Sequence, residues 1–262
     1  MLYAEQGIGD TLQFIRYAAA VKRQGGTVIV ECQKELARLL RTCDGVDRVV
    51  ARGATLPAFD LQAALMSLPR IFGTALETIP AKVPYLRADA ERMHEFRRTL
   101  AASGTLRVGI VWRGNPAHQN DRFRSLKLTQ LLPLAEVPGA TLYSLQKGAG
   151  REELAALSGS AVVVDLAEQL HDFYDTAALV ASLDVVVGCD TSVAHLAGAL
   201  AMPVWVMLPA APDWRWLRER ADSPWYPTVK LLRQQRLGNW EDVVEAAAQS
   251  LKRFAPGVHE RS

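Results

Sequence analysis

Residues 2–14 read LYAEQGIGDTLQF, and the fold turns on how this stretch is understood. A short strand, LYAE, runs through two glycines, Gly7 and Gly9, into a helix that opens at Asp10. Glycines at a strand-to-helix turn let a ligand come close to the backbone, and the unpaired amides of a helix start attract anions. A dinucleotide fingerprint needs GxGxxG, and Leu12 occupies its third glycine position. Glu31 nevertheless ends the second strand, where such a fold carries its ribose carboxylate, so a dinucleotide-dependent oxidoreductase stays among the readings. Asp10 weighs against it, because a carboxylate in the first helical turn repels a pyrophosphate. Asp10 is then either a helix cap or a base facing a cleft, taking the proton of a hydroxyl nucleophile.

Outward from this turn, short apolar runs alternate with helical patterns. Strands are predicted at 2–5, 27–31, 48–51, 107–112, 140–145, 161–165, 184–188 and 203–208, with helices near 10–23, 33–41, 126–135, 151–157, 173–182 and 192–200. Continuous rather than alternating apolar strands imply burial on both faces, as in parallel sheets, and strand–helix alternation implies βαβ units. The pattern breaks between about 56 and 105, where LPAFD, SLPRIFG and IPAKVPYL precede a polar helix that ends in glycine. A boundary there divides the chain into Rossmann-like halves at 1–103 and 104–238. A last helix with an Asn239 cap, within 239–262, is expected to pack back toward the first half. No internal repeat is visible.

Composition narrows the classes. The 262 residues are 49% hydrophobic and 22% charged with a net charge of +2, which excludes polyanion binding by bulk electrostatics and argues against a nucleic-acid partner. Cys32, Cys43 and Cys189 are far apart and read as buried thiols of a reduced compartment, with neither a zinc nor a disulfide framework. No apolar run matches a membrane span or a signal peptide, so the expected location is cytoplasmic, with work at the inner membrane surface left open.

Three further segments carry chemistry. In GCDTSVAHLAGALAMPVW (188–205), Asp190, Thr191 and Ser192 stand at a helix start with His195 in its first turns. Such a start offers amides and hydroxyls to phosphate, and His195 adds a donor whose charge is tunable near neutral pH. The plain alternative is a capped core helix with a satisfied histidine. In VGIVWRGNPAHQNDRFRSL (108–126), Arg113, Asn115 and His118 follow a parallel strand, where donors suit a diphosphate or sugar; several of the arginines there read as a solvated loop. In PAAPDWRWLRERADSPWYP (209–227), Trp214, Trp216, Trp225 and Tyr226 suit either a sugar platform or a domain interface. Gln146, in SLQKG, and the HDFYDTAAL segment also lie at strand ends.

Taken together, EQGIGDTLQFIRY, RVGIVWRGNPAHQNDRFRS, DFYDTAALVASLDVVVGCDTSVAHLAGALAMPVWVMLP, DWRW and DSPWYPTVKLLRQ resemble the glycosyltransferase family that contains the lipopolysaccharide heptosyltransferases (family 9 type). Within it the chain is most similar to the catalytic-like domains that follow tetratricopeptide repeats in bacterial proteins. The resemblance implies a GT-B fold, two Rossmann-like domains with parallel sheets facing across a cleft. It implies metal-independent transfer, with no cofactor, from a nucleotide-sugar donor to a glycan, lipid-linked or protein hydroxyl. Asp10 maps onto the proposed base, and a lone base suits inversion. Asp190, Thr191, Ser192 and His195 map onto the diphosphate-binding helix start, and Arg113 to Ser125 onto the polar loop of the second domain. A non-catalytic GT-B binding module and a sugar-nucleotide epimerase are the alternatives. The chain contains no tetratricopeptide repeat and its first strand starts at residue 2, so it reads as part of a longer protein or as a compact stand-alone version.

Overall fold

A computed structural model describes residues 1–100, 105–157 and 162–254. Among the described residues ten strands form two sheets. The first contains β1 (Leu2–Tyr3), β2 (Ile29–Cys32), β3 (Arg48–Ala51) and β4 (Ala63–Ala64), in the order β3-β2-β1-β4. The second contains β5 (Leu106–Val111), β6 (Ala140–Ser144), β7 (Val163–Asp165), β8 (Val185–Cys189), β9 (Val204–Leu208) and β10 (Val229–Arg233), in the order β10-β9-β8-β5-β6-β7. Every pairing between these strands is parallel. In each sheet the order reverses beside the first strand, and α/β proteins bind ligands at the carboxyl ends of strands at such a reversal.

The second sheet shows why its strands read as unbroken apolar runs. Val108, Ile110, Val185, Val187, Trp205 and Met207 face one core, while their neighbours Val111, Val186, Val204 and Val206 face another. A period of two with both faces covered leaves no polar positions. Two strands escape the sequence reading. β4 is two alanines in a proline-rich stretch, and β10 is an edge strand whose exposed Lys230 breaks the apolar run.

The C-terminal helix Glu241–Arg253 corrects one expectation. Its buried Val243, Val244, Ala247, Ala248 and Leu251 join the core that backs the second sheet, not the first half. Its apolar stripe fits the outward core of β5, β8 and β9, which needs a cover. Asn239 lies one residue before the cap position, and its Oδ1 accepts from the Glu241 amide at 3.0 Å. The expected boundary at 103/104 and the stretch 255–262 lie outside the described residues.

The other core is shared by both halves. Leu12, Phe14 and Ile15, from and just after the helix Ile8–Phe14, join one cluster with Val193, Leu196 and Ala197 of the helix Ser192–Ala199. Gly9 permits this approach, since a Cβ there would lie 3.0 Å from His195 Cδ2 and 3.7 Å from Ser192 Cα. The two helix starts that the sequence singled out are thereby brought side by side.

Candidate active site

A cavity of about 740 Å³ opens where the loops after β1, β5, β6 and β8 meet. Gly7, Gly9 and Asp10 line it from the first half. Arg113, Asn115, His118 and Gln146 line it from the loops after β5 and β6, and Asp190, Thr191, Ser192 and His195 from the loop and helix after β8. These residues, all singled out in the sequence, are therefore in one place, whereas Trp214, Trp216, Trp225 and Tyr226 of the aromatic segment are not among the lining residues. Glu31 is not among the lining residues, which removes the contact on which a dinucleotide reading depended.

Asp10 fulfils the cap reading and goes beyond it. Its Oδ2 accepts from the Gly7 amide at 2.9 Å, as an acidic side chain does when it reaches back to a helix start. Its Oδ1 bonds Arg215 Nη2, from the aromatic loop of the other half. Arg215 in turn donates through Nε to Gln13 Oε1 (2.7 Å) and through Nη1 to Asp213 Oδ1 (2.8 Å). The chain before Asp10 is pinned as well: Arg52 donates to the Ala4 carbonyl, the Met66 amide to Glu5 Oε1 (3.0 Å), and Gln33 Nε2 to the Gln6 carbonyl (2.8 Å).

His195 differs from expectation. It is buried, stacked on Trp216 with ring centroids 5.4 Å apart, and its Nδ1 is 2.9 Å from the Tyr226 hydroxyl. Burial, then the cations Arg215, Arg16 and Arg124, holds its pKa well below the ordinary histidine value. It is a neutral hydrogen-bonding group at physiological pH, not a tunable charge. Asp190, 3.9 Å from His195 Nε2, has its carboxyl pushed up by burial. Thr191 caps the helix Ser192–Ala199, yet its Oγ1 is buried with no hydrogen-bond partner.

Gln146 also has a different task. Its Oε1 accepts from the Trp112 and Arg113 amides (3.1 and 3.0 Å) and its Nε2 donates to the Arg113 and Ala149 carbonyls (3.0 and 2.7 Å). The amide is spent on fixing two loops to each other. Arg113 pairs with Glu153 at 3.2 Å, while Asn115 and His118 accept from amides of their own loop. The aromatic loop divides in two: Trp216, Trp225 and Tyr226 are buried, whereas Trp214 is 54% exposed, with Arg215 over its ring at 4.8 Å.

Two cations in the lining, Lys147 and Arg215, were not singled out from the sequence as site residues, and a third, Arg124, was singled out only as part of the loop Arg113 to Ser125. A basic residue following a strand was the available signal for Lys147; Arg215 lies in a loop with no periodicity to place it. Among the described residues no group of three or more His, Cys, Asp or Glu side chains is arranged to hold a metal ion. Cys32 and Cys43 are buried thiols pushed up to about 12, and Cys189 is raised likewise.

The architecture is that of GT-B glycosyltransferases. The chain superposes on Escherichia coli ADP-heptose lipopolysaccharide heptosyltransferase II with a TM-score of 0.65, at 14% identity, over 97% of this chain and 99% of that one. A family 9 glycosyl transferase from Veillonella parvula gives 0.69 at 8% identity, covering 97% of both chains. The E. coli heptosyltransferase WaaC, solved with ADP-2-deoxy-2-fluoro heptose, gives 0.63 at 14% identity, over 97% and 99%. In sequence the chain is 29% identical to protein FlbA of Caulobacter vibrioides, over 97% of this chain and 46% of FlbA; it spans about half the length of that curated relative. No protein-family profile matches the chain.

Proposed function

We propose that this chain is a glycosyltransferase that moves a sugar from a nucleotide-sugar donor to a hydroxyl of a glycan, lipid-linked or protein acceptor. The observation that carries the reading is that Asp10 and the helix start at Thr191 and Ser192 line one cavity at the sheet reversal, with Gly9 packed on that helix. The donor's diphosphate lies at that start, where first-turn amides lack intrahelical partners and Thr191 Oγ1 is unpartnered. Arg113, Arg124, Lys147 and Arg215 supply positive charge to the leaving nucleoside diphosphate, the part a metal plays in other transferases, so the transfer is metal-independent. Asp10 takes the acceptor proton while the acceptor oxygen attacks the anomeric carbon and the bond to the diphosphate breaks. A single displacement of this kind inverts the anomeric centre.

The heptosyltransferases that share the fold support the class of reaction and leave donor sugar and base open. About half of FlbA lies outside the match, which suits the proposal that a chain of this type works beside further domains such as tetratricopeptide repeats. A second reading, a nucleotide-binding module without catalysis, is favoured by one observation: both Asp10 oxygens are engaged, by Gly7 and by Arg215.

Asp10→Asn separates the two. Release of nucleoside diphosphate from the donor in the presence of acceptor is expected to fall about 10²- to 10⁴-fold, the usual contribution of a general base, with nucleotide binding retained. Unchanged turnover in that variant refutes the assignment of the base.

A further inference from the structure

Asp10 and the proposed diphosphate site line one cavity, so a bound diphosphate and the carboxylate act on each other electrostatically. Gly9 packs on His195 and Ser192, and Asp10, the next residue, lines the same cavity as the start of the helix Ser192–Ala199. A diphosphate bound at that start meets a carboxylate across a partly buried gap, where repulsion is weakly screened. Something cationic must stand between them.

The lining cations are not equivalent in this respect. Arg113 pairs with Glu153 and Arg124 with Asp121, and neither acid lines the cavity. Lys147 donates to the Leu170 carbonyl. Arg215 alone among the four is paired with the candidate base itself. Its guanidinium is anchored on two sides, by Gln13 at Nε and Asp213 at Nη1, which leaves Nη2 as the donor that Asp10 takes. The neighbouring Trp216 stacks on His195, which ties the Arg215 turn to the helix that starts at Ser192. Leu217, directly after it, holds φ at +55° with ψ at −171°, a strained conformation that persists only where the surroundings fix it.

We propose that Arg215 is a diphosphate-binding residue that Asp10 holds in reserve. The Asp10 carboxylate and the donor diphosphate compete for the same Nη2 donor, so donor binding draws Arg215 off the carboxylate and frees the base. The inference rests on the donor-site reading above. It makes catalysis ordered: the base becomes available to the acceptor hydroxyl only after the sugar nucleotide is in place. It also accounts for the engaged Asp10 oxygens without abandoning catalysis.

The test is a double-mutant cycle read by calorimetric titration, with inorganic pyrophosphate and with ADP, GDP, UDP, CDP and dTDP as probes. It needs neither the acceptor nor turnover. For the diphosphate that binds the unmutated chain, Asp10→Asn is expected to tighten binding about tenfold, since it frees a guanidinium and removes a repulsion. Arg215→Ala is expected to weaken it by a similar factor. The deciding quantity is the gain from Asp10→Asn with and without Arg215. Competition for Arg215 makes the gain larger when Arg215 is present. Plain repulsion makes it larger when Arg215 is absent, because the carboxylate is then unscreened, and that result overturns the proposal. Arg215→Gln repeats the cycle with a neutral side chain that still hydrogen bonds, should the alanine variant fail to fold. If the folded, unmutated chain binds none of the probes, the donor-site reading itself fails. Binding with the reverse sign of the cycle defeats only the role of Arg215.

Discussion

His195 is enclosed by Trp216, Tyr226 and Gly9, and its charge is suppressed by burial and then by Arg215, Arg16 and Arg124, with Asp190 3.9 Å from its Nε2. Its folded pKa is depressed, so below about 6.5 the unfolded chain takes up a proton that the folded chain refuses. Its contribution to stability is therefore complete above that pH and is lost as pH falls. Asp190, raised by burial, acts in the opposite sense, so the histidine must be isolated by difference. Denaturant unfolding at pH 8 and pH 5 is expected to show a smaller pH dependence in His195→Gln than in the unmutated chain. Equal dependence in both contradicts a neutral His195. The placement of His195 at the cavity was legible in the sequence, because it follows a helix start after an apolar strand. Its protonation state was not, because the cations that suppress it come from residues 16, 124 and 215.

At the scale of elements, the packing of the helix Ile8–Phe14 on the helix Ser192–Ala199 decides whether the site exists. Gly9 was legible as a functional glycine; it lines the cavity, and its missing Cβ makes room for the His195 ring. Gly9→Ala places a methyl 3.0 Å from a ring that Trp216 and Tyr226 prevent from yielding, and is expected to cost about 1–3 kcal/mol in denaturant unfolding. Adding His195→Ala is expected to recover part of that loss; strict additivity of the two contradicts the contact. Gly198→Ala is expected to be worse than Gly9→Ala, because its methyl meets Tyr226 Cδ1 at 2.5 Å. The aromatic loop was legible only in outline. Proline and tryptophan marked it as unusual, but the division between buried Trp216, Trp225 and Tyr226 and exposed Trp214 depends on long-range packing.

For the whole molecule, the sheets explain why so much of the site was readable. Parallel strands send every carboxyl end to one edge, so the loops after β1, β5, β6 and β8 converge once the strand ends are identified. Arg215 escaped because it reaches the cavity from the loop between β9 and β10, and its partner Asp10 follows β1 at the other end of the chain. The C-terminal helix was misplaced because amphipathicity reveals that a face is covered without revealing by what. The central claim, that the cavity holds a nucleotide-activated sugar, is most directly tested by thermal unfolding with ADP, GDP, UDP, CDP and dTDP and their sugar conjugates. A ligand at about 100 times its Kd adds about 2.7 kcal/mol, which for a chain of this size raises Tm by about 5–10 °C. The account predicts such a shift for one base, abolished by Thr191→Val together with His195→Gln. Folded protein that no nucleotide or sugar nucleotide stabilises contradicts it.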